Sequence, residues 1–159
     1  MSMTHSRPST ATGDPPVDPR GVRFAAALTS AVLALVLATG SGWLLAAQAV
    51  VFALGAFAGL RFSPYTVAFR SLVVPRLAPP TEREDAAPVR FSQAVGLAFA
   101  VVGTVGYLTG LTTLGIVATA FALAAAFLNA AFGFCLGCEM YALIVRFRKN
   151  HNHQQGATA

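Results

Sequence analysis

The chain has 159 residues, of which 55% are hydrophobic and only 11% are charged. Soluble domains carry roughly 25% charged residues, so this composition excludes an ordinary soluble domain. The formal net charge of +5 does not indicate nucleic-acid binding, because the arginines flank long apolar runs, as expected for positions near anionic lipid headgroups. We therefore expect the protein to contact the lipid bilayer and to bind no nucleic acid.

Residues 1–19 are rich in Ser, Thr, Pro and Gly and have too little apolar surface to fold alone. They are predicted to be a disordered cytoplasmic segment. The apolar sequence that follows contains Ala47-Gln48-Ala49, which has the form of a signal-peptidase site. Apolar sequence continues straight through it to Leu60, however, so we expect no cleavage there.

Two long runs lack any charged residue, Phe24 to Leu60 and Phe91 to Cys138. Each is about twice the roughly 20 residues that cross a bilayer, so each is predicted to form a helical hairpin. The turns are expected at Thr39–Gly42 and Thr109–Gly110, where turn-forming residues interrupt the runs. The sequence thus predicts an all-α membrane protein with four transmembrane helices, arranged as two hairpins, within a membrane domain of residues 20–149. The predicted spans are residues 23–38, 42–60, 91–108 and 112–133.

The second run repeats the first in outline. Val89-Arg90-Phe91 echoes Val22-Arg23-Phe24, and Thr109-Gly110 echoes Thr39-Gly40. This echo suggests two hairpins in the same orientation, as in a parallel duplication.

Small and polar residues predict helix contacts inside the bundle. Gly96, Gly103 and Gly110 fall at heptad spacing, so one face of the third helix is expected to be bare backbone against a neighbour. Gln48 is predicted to make an interhelical hydrogen bond, and Asn129 a structural one, with Gln93 as the candidate partner.

The cytoplasmic loop, residues 61–90, holds five arginines and five prolines. Its segment 65–74 is expected to form a short amphipathic helix at the interface. All eleven lysines and arginines lie in the N-terminal segment, this loop or the C-terminal tail. The positive-inside rule then places both termini in the cytoplasm, for a multi-pass protein of the cell membrane.

The stretch Phe134-Cys135-Leu136-Gly137-Cys138-Glu139 carries both cysteines of the chain in a C-x-x-C spacing. Cys135 lies 25 positions beyond Gly110, about 37 Å of helix, which places the pair at or beyond the cytoplasmic edge of the last span. Such a pair suits a dithiol–disulfide couple. If Cys138 opens a new helix, it is expected to be the more acidic thiol, with Cys135 resolving and Glu139 relaying its proton.

Other interpretations of the pair stay open. The cysteines could simply pack a helix end, or could bind a metal together with His151 and His153, although His-x-His is tighter than the usual zinc spacing. We assign no metal ligands and no cofactor. After the pair, apolar residues at helical spacing and basic residues predict a short amphipathic C-terminal helix, followed by a flexible tail over residues 150–159.

The chain resembles the DUF4395 family of small bacterial membrane proteins. The resemblance rests on Asp18-Pro19-Arg20-x-x-Arg23-Phe24 and on the ending Leu128-Asn129 through Cys138-Glu139, and it spans roughly Asp18 to Arg148. It implies an integral membrane protein and no particular activity. A thioredoxin-like or sulfurtransferase partner would fit.

The leading hypothesis is a thiol-redox or sulfur-handling membrane component that acts through Cys135 and Cys138. The alternative is a non-enzymatic membrane scaffold that docks a partner. A small-molecule transporter ranks third, since no intramembrane carboxylate is visible in the sequence.

Overall fold

The computed structural model describes residues 16–80 and 83–156, with side chains as far as Arg148. Most of the predicted N-terminal segment therefore lies outside the described residues. The described chain is helical, apart from one isolated antiparallel bridge between Val17 and Glu84. The helices are α1 (Pro19–Thr39), α2 (Gly42–Ala53), α3 (Pro64–Leu72), α4 (Ala86–Leu108), α5 (Thr112–Phe132) and α6 (Leu136–Gly156).

Local caps set the ends of the first two helices. The Asp18 side chain accepts a hydrogen bond of 2.9 Å from the Arg20 N–H, and Pro19 occupies the first helical position. Both favour an N-terminus, so α1 begins four residues before its predicted start. It ends at Gly40, whose φ of 64° is left-handed, and the Ser41 side chain then caps α2.

The prediction of four full-length transmembrane helices is wrong for the second helix. Among the described residues, three helices are long and apolar enough to cross a membrane, namely α1, α4 and α5. The second helix is shorter, because its 12 α-helical residues pass into a π-helical turn of 5 residues, Leu54–Ala58. Gly59, with a φ of 103°, then breaks the helix before the predicted end at Leu60. At about 1.5 Å per residue this element covers only about 25 Å.

Helix α2 nevertheless runs antiparallel along most of α4. Near its start, Gly42 lies against Tyr107 and Leu108 at the end of α4. Near its other end, Gly55 lies against Gln93. The short helix thus follows α4 through nearly the whole depth of the bundle.

The two halves of the chain pack across each other, and the second half also packs on itself. The main neighbour of α1 is α5, and the main neighbours of α4 are α2 and α5. The helices α1 and α2, predicted as one hairpin, touch much less than α4 and α5 do. The short helix α3 packs on α1, just as α6 packs on α4. Exchanging the first three helices for the last three therefore reproduces the contacts between the halves and those of the short helices, which supports the predicted duplication, but not the close α4–α5 contact.

The echoed arginines make equivalent bonds in this arrangement. Arg23, on α1, donates hydrogen bonds of 3.3 and 3.4 Å to the carbonyls of Ala130 and Ala131 near the end of α5. Arg90, on α4, donates to the carbonyl of Ala56 near the end of α2 at 2.9 and 3.0 Å. Each arginine satisfies carbonyls at a helix end in the other half, where cations are favoured.

Aromatic contacts repeat in the same way. The Phe24 ring on α1 lies 5.6 Å from the Phe69 ring on α3. The Phe91 ring on α4 lies 5.8 Å from the Tyr141 ring on α6. These pairs fix the helices α3 and α6 on the long helices of their own halves.

Glycines on α4 allow its closest approaches. A Cβ at Gly103 would lie 2.7 Å from a Leu45 methyl carbon on α2, and one at Gly106 would lie 2.6 Å from the backbone nitrogen of Gly115 on α5. Gly110, predicted in the same stripe, lies instead in the turn after α4, with a φ of 81°. The bare face of the helix therefore includes Gly106, which the heptad pattern omits.

Candidate functional site

The two cysteines lie where one helix stops and another begins. Gly133 ends α5 with a φ of 69°, and its N–H donates to the Asn129 carbonyl at 3.0 Å. Helix α6 then starts at Leu136, and its first backbone bond runs from the Glu139 N–H to the Cys135 carbonyl at 3.1 Å. Cys135 is therefore the residue that caps the new helix.

The sulfur of Cys135 takes the place of a capping oxygen. The Cys138 N–H donates to the Cys135 Sγ at 3.4 Å. This is the bond that a Ser or Thr hydroxyl accepts in an ordinary N-cap. In the first half of the chain, the equivalent cap position before α3 is Ser63. Only the second half thus carries a thiol at this point.

The start of α6 is seated on α4 by a glycine. A Cβ at Gly137 would lie 2.5 Å from the Ser92 Cβ and 2.7 Å from the Ser92 Cα. No residue larger than glycine fits at position 137 unless α4 or α6 moves. The close approach also brings the Ser92 hydroxyl to the Cys135 thiol.

This environment lowers the pKa of Cys135 to about 6. The largest cause is the hydrogen bond from the Cys138 side chain, which outweighs the opposing effect of burial. The N–H groups of Cys138 and Gly137 lower it further, and so does the nearby Ser92 side chain, whose hydroxyl itself donates to the Val89 carbonyl at 2.8 Å. The N–H donors favour the charged form, and the positive end of the α6 dipole acts in the same sense.

The pKa of Cys138 is raised, chiefly by its hydrogen bond with Cys135 and by burial. Negative charge on Cys135, Glu84 and Glu139 raises it further. The sequence-based expectation that Cys138 would be the more acidic thiol is therefore wrong. Its premise was a helix opening at Cys138, whereas α6 opens three residues earlier, at Cys135. Cys135 and Cys138 form no disulfide in this structure.

A cleft of about 390 Å³, which we call the thiol cleft, contains all three predicted site residues. Cys135, Cys138 and Glu139 line it, together with Glu84, which the sequence analysis did not single out. Two backbone bonds of 2.9 Å between Glu84 and Val17 hold that residue in place. Glu84 is 51 positions from Cys135 in the sequence, so no local pattern could have indicated it.

A larger cavity of about 720 Å³, which we call the central cavity, lies between the two halves of the chain. All six helices contribute to its wall, which is mainly apolar. Cys135 lines both the central cavity and the thiol cleft, and so does Asn129. The Cys135 thiol therefore lies where the central cavity inside the bundle meets the thiol cleft at the end of the bundle.

Asn129 lines both cavities together with Cys135. Its spacing of six from Cys135 would place the two on different faces of a continuous helix, but the break at Gly133 removes that constraint. Asn129 and Gln93 form no hydrogen bond with each other in the described structure. The predicted bond of Gln48 between helices is confirmed: its side-chain oxygen accepts from the Tyr65 hydroxyl on α3 at 2.6 Å.

Metal binding finds no support in the part of the chain that the structure describes. No group of three or more His, Cys, Asp and Glu side chains there could hold an ion. His151 and His153 lie outside the residues whose side chains are described.

Comparison with known proteins gives a family without an assigned activity. No curated protein and no solved structure matches the chain. One family model, described as a domain of unknown function, matches residues 17–146. That match spans five of the six helices and both cysteines, and three of those helices are long enough to cross a membrane. The chain therefore belongs to the DUF4395 family.

Proposed function

We propose that this protein is a membrane thiol–disulfide oxidoreductase or sulfur-handling component, with Cys135 as the attacking thiolate and Cys138 as the resolving thiol. The supporting observation is the position of Cys135 at the start of α6. Its sulfur accepts the Cys138 N–H there and lies beside the Ser92 hydroxyl. Attacking thiols of C-x-x-C oxidoreductases have lowered pKa values of this kind.

The chemistry begins with a disulfide in a partner protein. The Cys135 thiolate attacks one partner sulfur, which forms a mixed disulfide and releases the other partner sulfur as a thiolate. Cys138 then loses its proton and attacks Cys135. A Cys135–Cys138 disulfide forms, and the first partner sulfur leaves as a thiolate. The partner disulfide is thereby reduced by two electrons and the pair is oxidised.

Carboxylates in the thiol cleft suit the second step. Cys138 stays protonated beside a Cys135 thiolate, and it needs a base once Cys135 has formed the mixed disulfide. Glu139 and Glu84 share the cleft with it. We assign Glu139 as the proton acceptor, because it belongs to the same helical turn as Cys138.

The location we propose is the cytoplasmic face of the cell membrane. Arg23 and Arg90 bind carbonyls at the same end of the bundle as the thiol cleft. That end carries the arginines of the central loop, and the opposite turns carry no basic residue. The positive-inside rule then puts the thiols in the cytoplasm, where thioredoxin-like or sulfurtransferase proteins are the natural partner class.

Trapping of a mixed disulfide tests this function. In membranes from cells that express the full chain, Cys138→Ser should accumulate a covalent complex that a reductant dissolves, because the resolving thiol is gone. Cys135→Ser should accumulate none. If neither variant traps a partner and both support the same cell phenotype as the native protein, the thiols serve packing and the scaffold alternative replaces this proposal.

A further inference from the structure

The central cavity has the dimensions and lining of a small-molecule site. Its volume of about 720 Å³ falls within the roughly 300–1,000 Å³ typical of such sites. It extends from Cys135 into the apolar part of the bundle, as far as Phe99 on α4 and Phe121 on α5. These two rings are 38% and 63% exposed, so the cavity is accessible from the apolar surface of the bundle.

Two amide side chains line the mainly apolar wall. Gln93 on α4 and Asn129 on α5 both border the central cavity, and Asp18, Arg61, Arg70 and Arg83 line it as well. Neither amide side chain makes a hydrogen bond or ion pair with another residue of the described structure. Both residues are partly buried, so their amide groups are available to donate hydrogen bonds to a polar group inside the cavity.

We propose that the central cavity binds the head group of a lipophilic quinone, whose carbonyl oxygens accept hydrogen bonds from Asn129 and Gln93 and which takes electrons from the Cys135–Cys138 pair. This inference rests on the proposed thiol function, with the reversible exchange running in the opposite direction: a reduced partner dithiol reduces the Cys135–Cys138 disulfide, and the quinone is the final electron acceptor. A quinone combines a flat apolar ring, a hydrocarbon tail and two carbonyls, which matches a mainly apolar cavity with two amide donors. Cys135 lies in the same wall as these amides.

The electron transfer balances without any further reactant. The two thiols lose two protons and two electrons as the Cys135–Cys138 disulfide forms. The quinone gains the same two electrons, and each of its carbonyl oxygens gains one proton to give the hydroquinone. A reduced cytoplasmic protein then restores the dithiol by thiol–disulfide exchange.

A cavity-filling substitution tests the site. Ala125 lines the central cavity, whereas its neighbour Ala124 is exposed and lines neither cavity. The reduced full-length protein in lipid nanodiscs is mixed with ubiquinone-1, and hydroquinone is followed by ultraviolet absorbance while remaining thiols are counted by alkylation. Ala125→Phe should lower the rate at least tenfold, and Ala124→Phe should leave it unchanged.

A binding measurement covers the case in which Ala125→Phe does not fold. Cys135→Ser/Cys138→Ser protein cannot transfer electrons, so calorimetry with ubiquinone-1 reports binding alone. Adding Asn129→Leu should raise the Kd about fivefold to tenfold, the loss expected for one hydrogen bond. An unchanged Kd, or equal rates for the two phenylalanine variants, overturns the quinone site.

The two proposals fail in different ways. If the Cys138→Ser variant traps a partner but the native protein forms no hydroquinone, the thiol function stands and the quinone proposal fails. If the variant traps no partner and the native protein forms no hydroquinone, both proposals fail.

Discussion

Replacing Gly137 with alanine is expected to disturb the thiol pair without removing either sulfur. The new Cβ would lie 2.5 Å from the Ser92 Cβ and 2.7 Å from the Ser92 Cα. Carbon atoms pack favourably at about 3.5–4.0 Å, so α6 must move from α4 by about 1 Å. Overpacking of this kind typically costs about 1–3 kcal/mol. The move also draws the Cys135 cap away from the Ser92 hydroxyl, so the pKa of Cys135 should rise above about 6.

Two measurements on purified protein check this expectation. Thermal denaturation in detergent should give a lower Tm for Gly137→Ala, and alkylation of Cys135 should shift to higher pH. Ala142→Val is the control, because it adds carbon atoms to an exposed position on the same helix and should change neither quantity appreciably. If Gly137→Ala matches the native protein in both Tm and alkylation profile, the close seating of α6 on α4 is wrong.

Three further predictions follow from the bundle. Gly106→Leu should lower the Tm, because its side chain would meet the Gly115 backbone at 2.6 Å; an unchanged Tm would contradict the α4–α5 contact. Arg23→Met should also destabilise the protein, since carbonyls at the end of α5 lose their donor, which chemical denaturation measures. Reporter fusions should read outside after Gly110 and inside after Lys149; a cytoplasmic signal at Gly110 would contradict the orientation.

The sequence predicts the long helices well, because their boundaries depend on local chemistry. The predicted fourth span, residues 112–133, matches α5 almost residue for residue, since Thr112 follows a turn and Gly133 can adopt a left-handed φ. The second span was predicted too long. Hydropathy alone cannot distinguish an α-helical end from the π-helical turn at Leu54–Ala58.

Packing between the halves could not be predicted in the same way. The charge-free runs favour hairpins, but they do not indicate that α1 packs chiefly on α5. The same holds for Gly21, which lies outside the predicted first span but within α1, where a Cβ would lie 3.1 Å from the Phe69 ring on α3.

The structure brings the predicted site residues into one cleft, but the sequence does not give the order of the two thiol pKa values or the other residues of the cleft. The C-x-x-C spacing singles out Cys135 and Cys138 because few other residues in the chain carry chemistry. Which cysteine has the lower pKa depends on which residue caps α6. Cys135 and Cys138 are about one helical turn apart, so a shift of the helix start by one turn reverses the order. Ser92 and Glu84 join the site only through tertiary contacts, so the sequence contains no local signal for them.

The most direct test of the central claim is the pH dependence of alkylation at each cysteine of the native protein, resolved by mass spectrometry. The lowered pKa of Cys135 means that its thiolate is present above about pH 6 and is lost as the pH falls through that value. Cys135 should therefore react with iodoacetamide with a midpoint near pH 6, while Cys138 stays unreactive through neutral pH. A midpoint near the ordinary thiol range for Cys135, or earlier reaction at Cys138, would contradict the assignment of Cys135 as the attacking thiol.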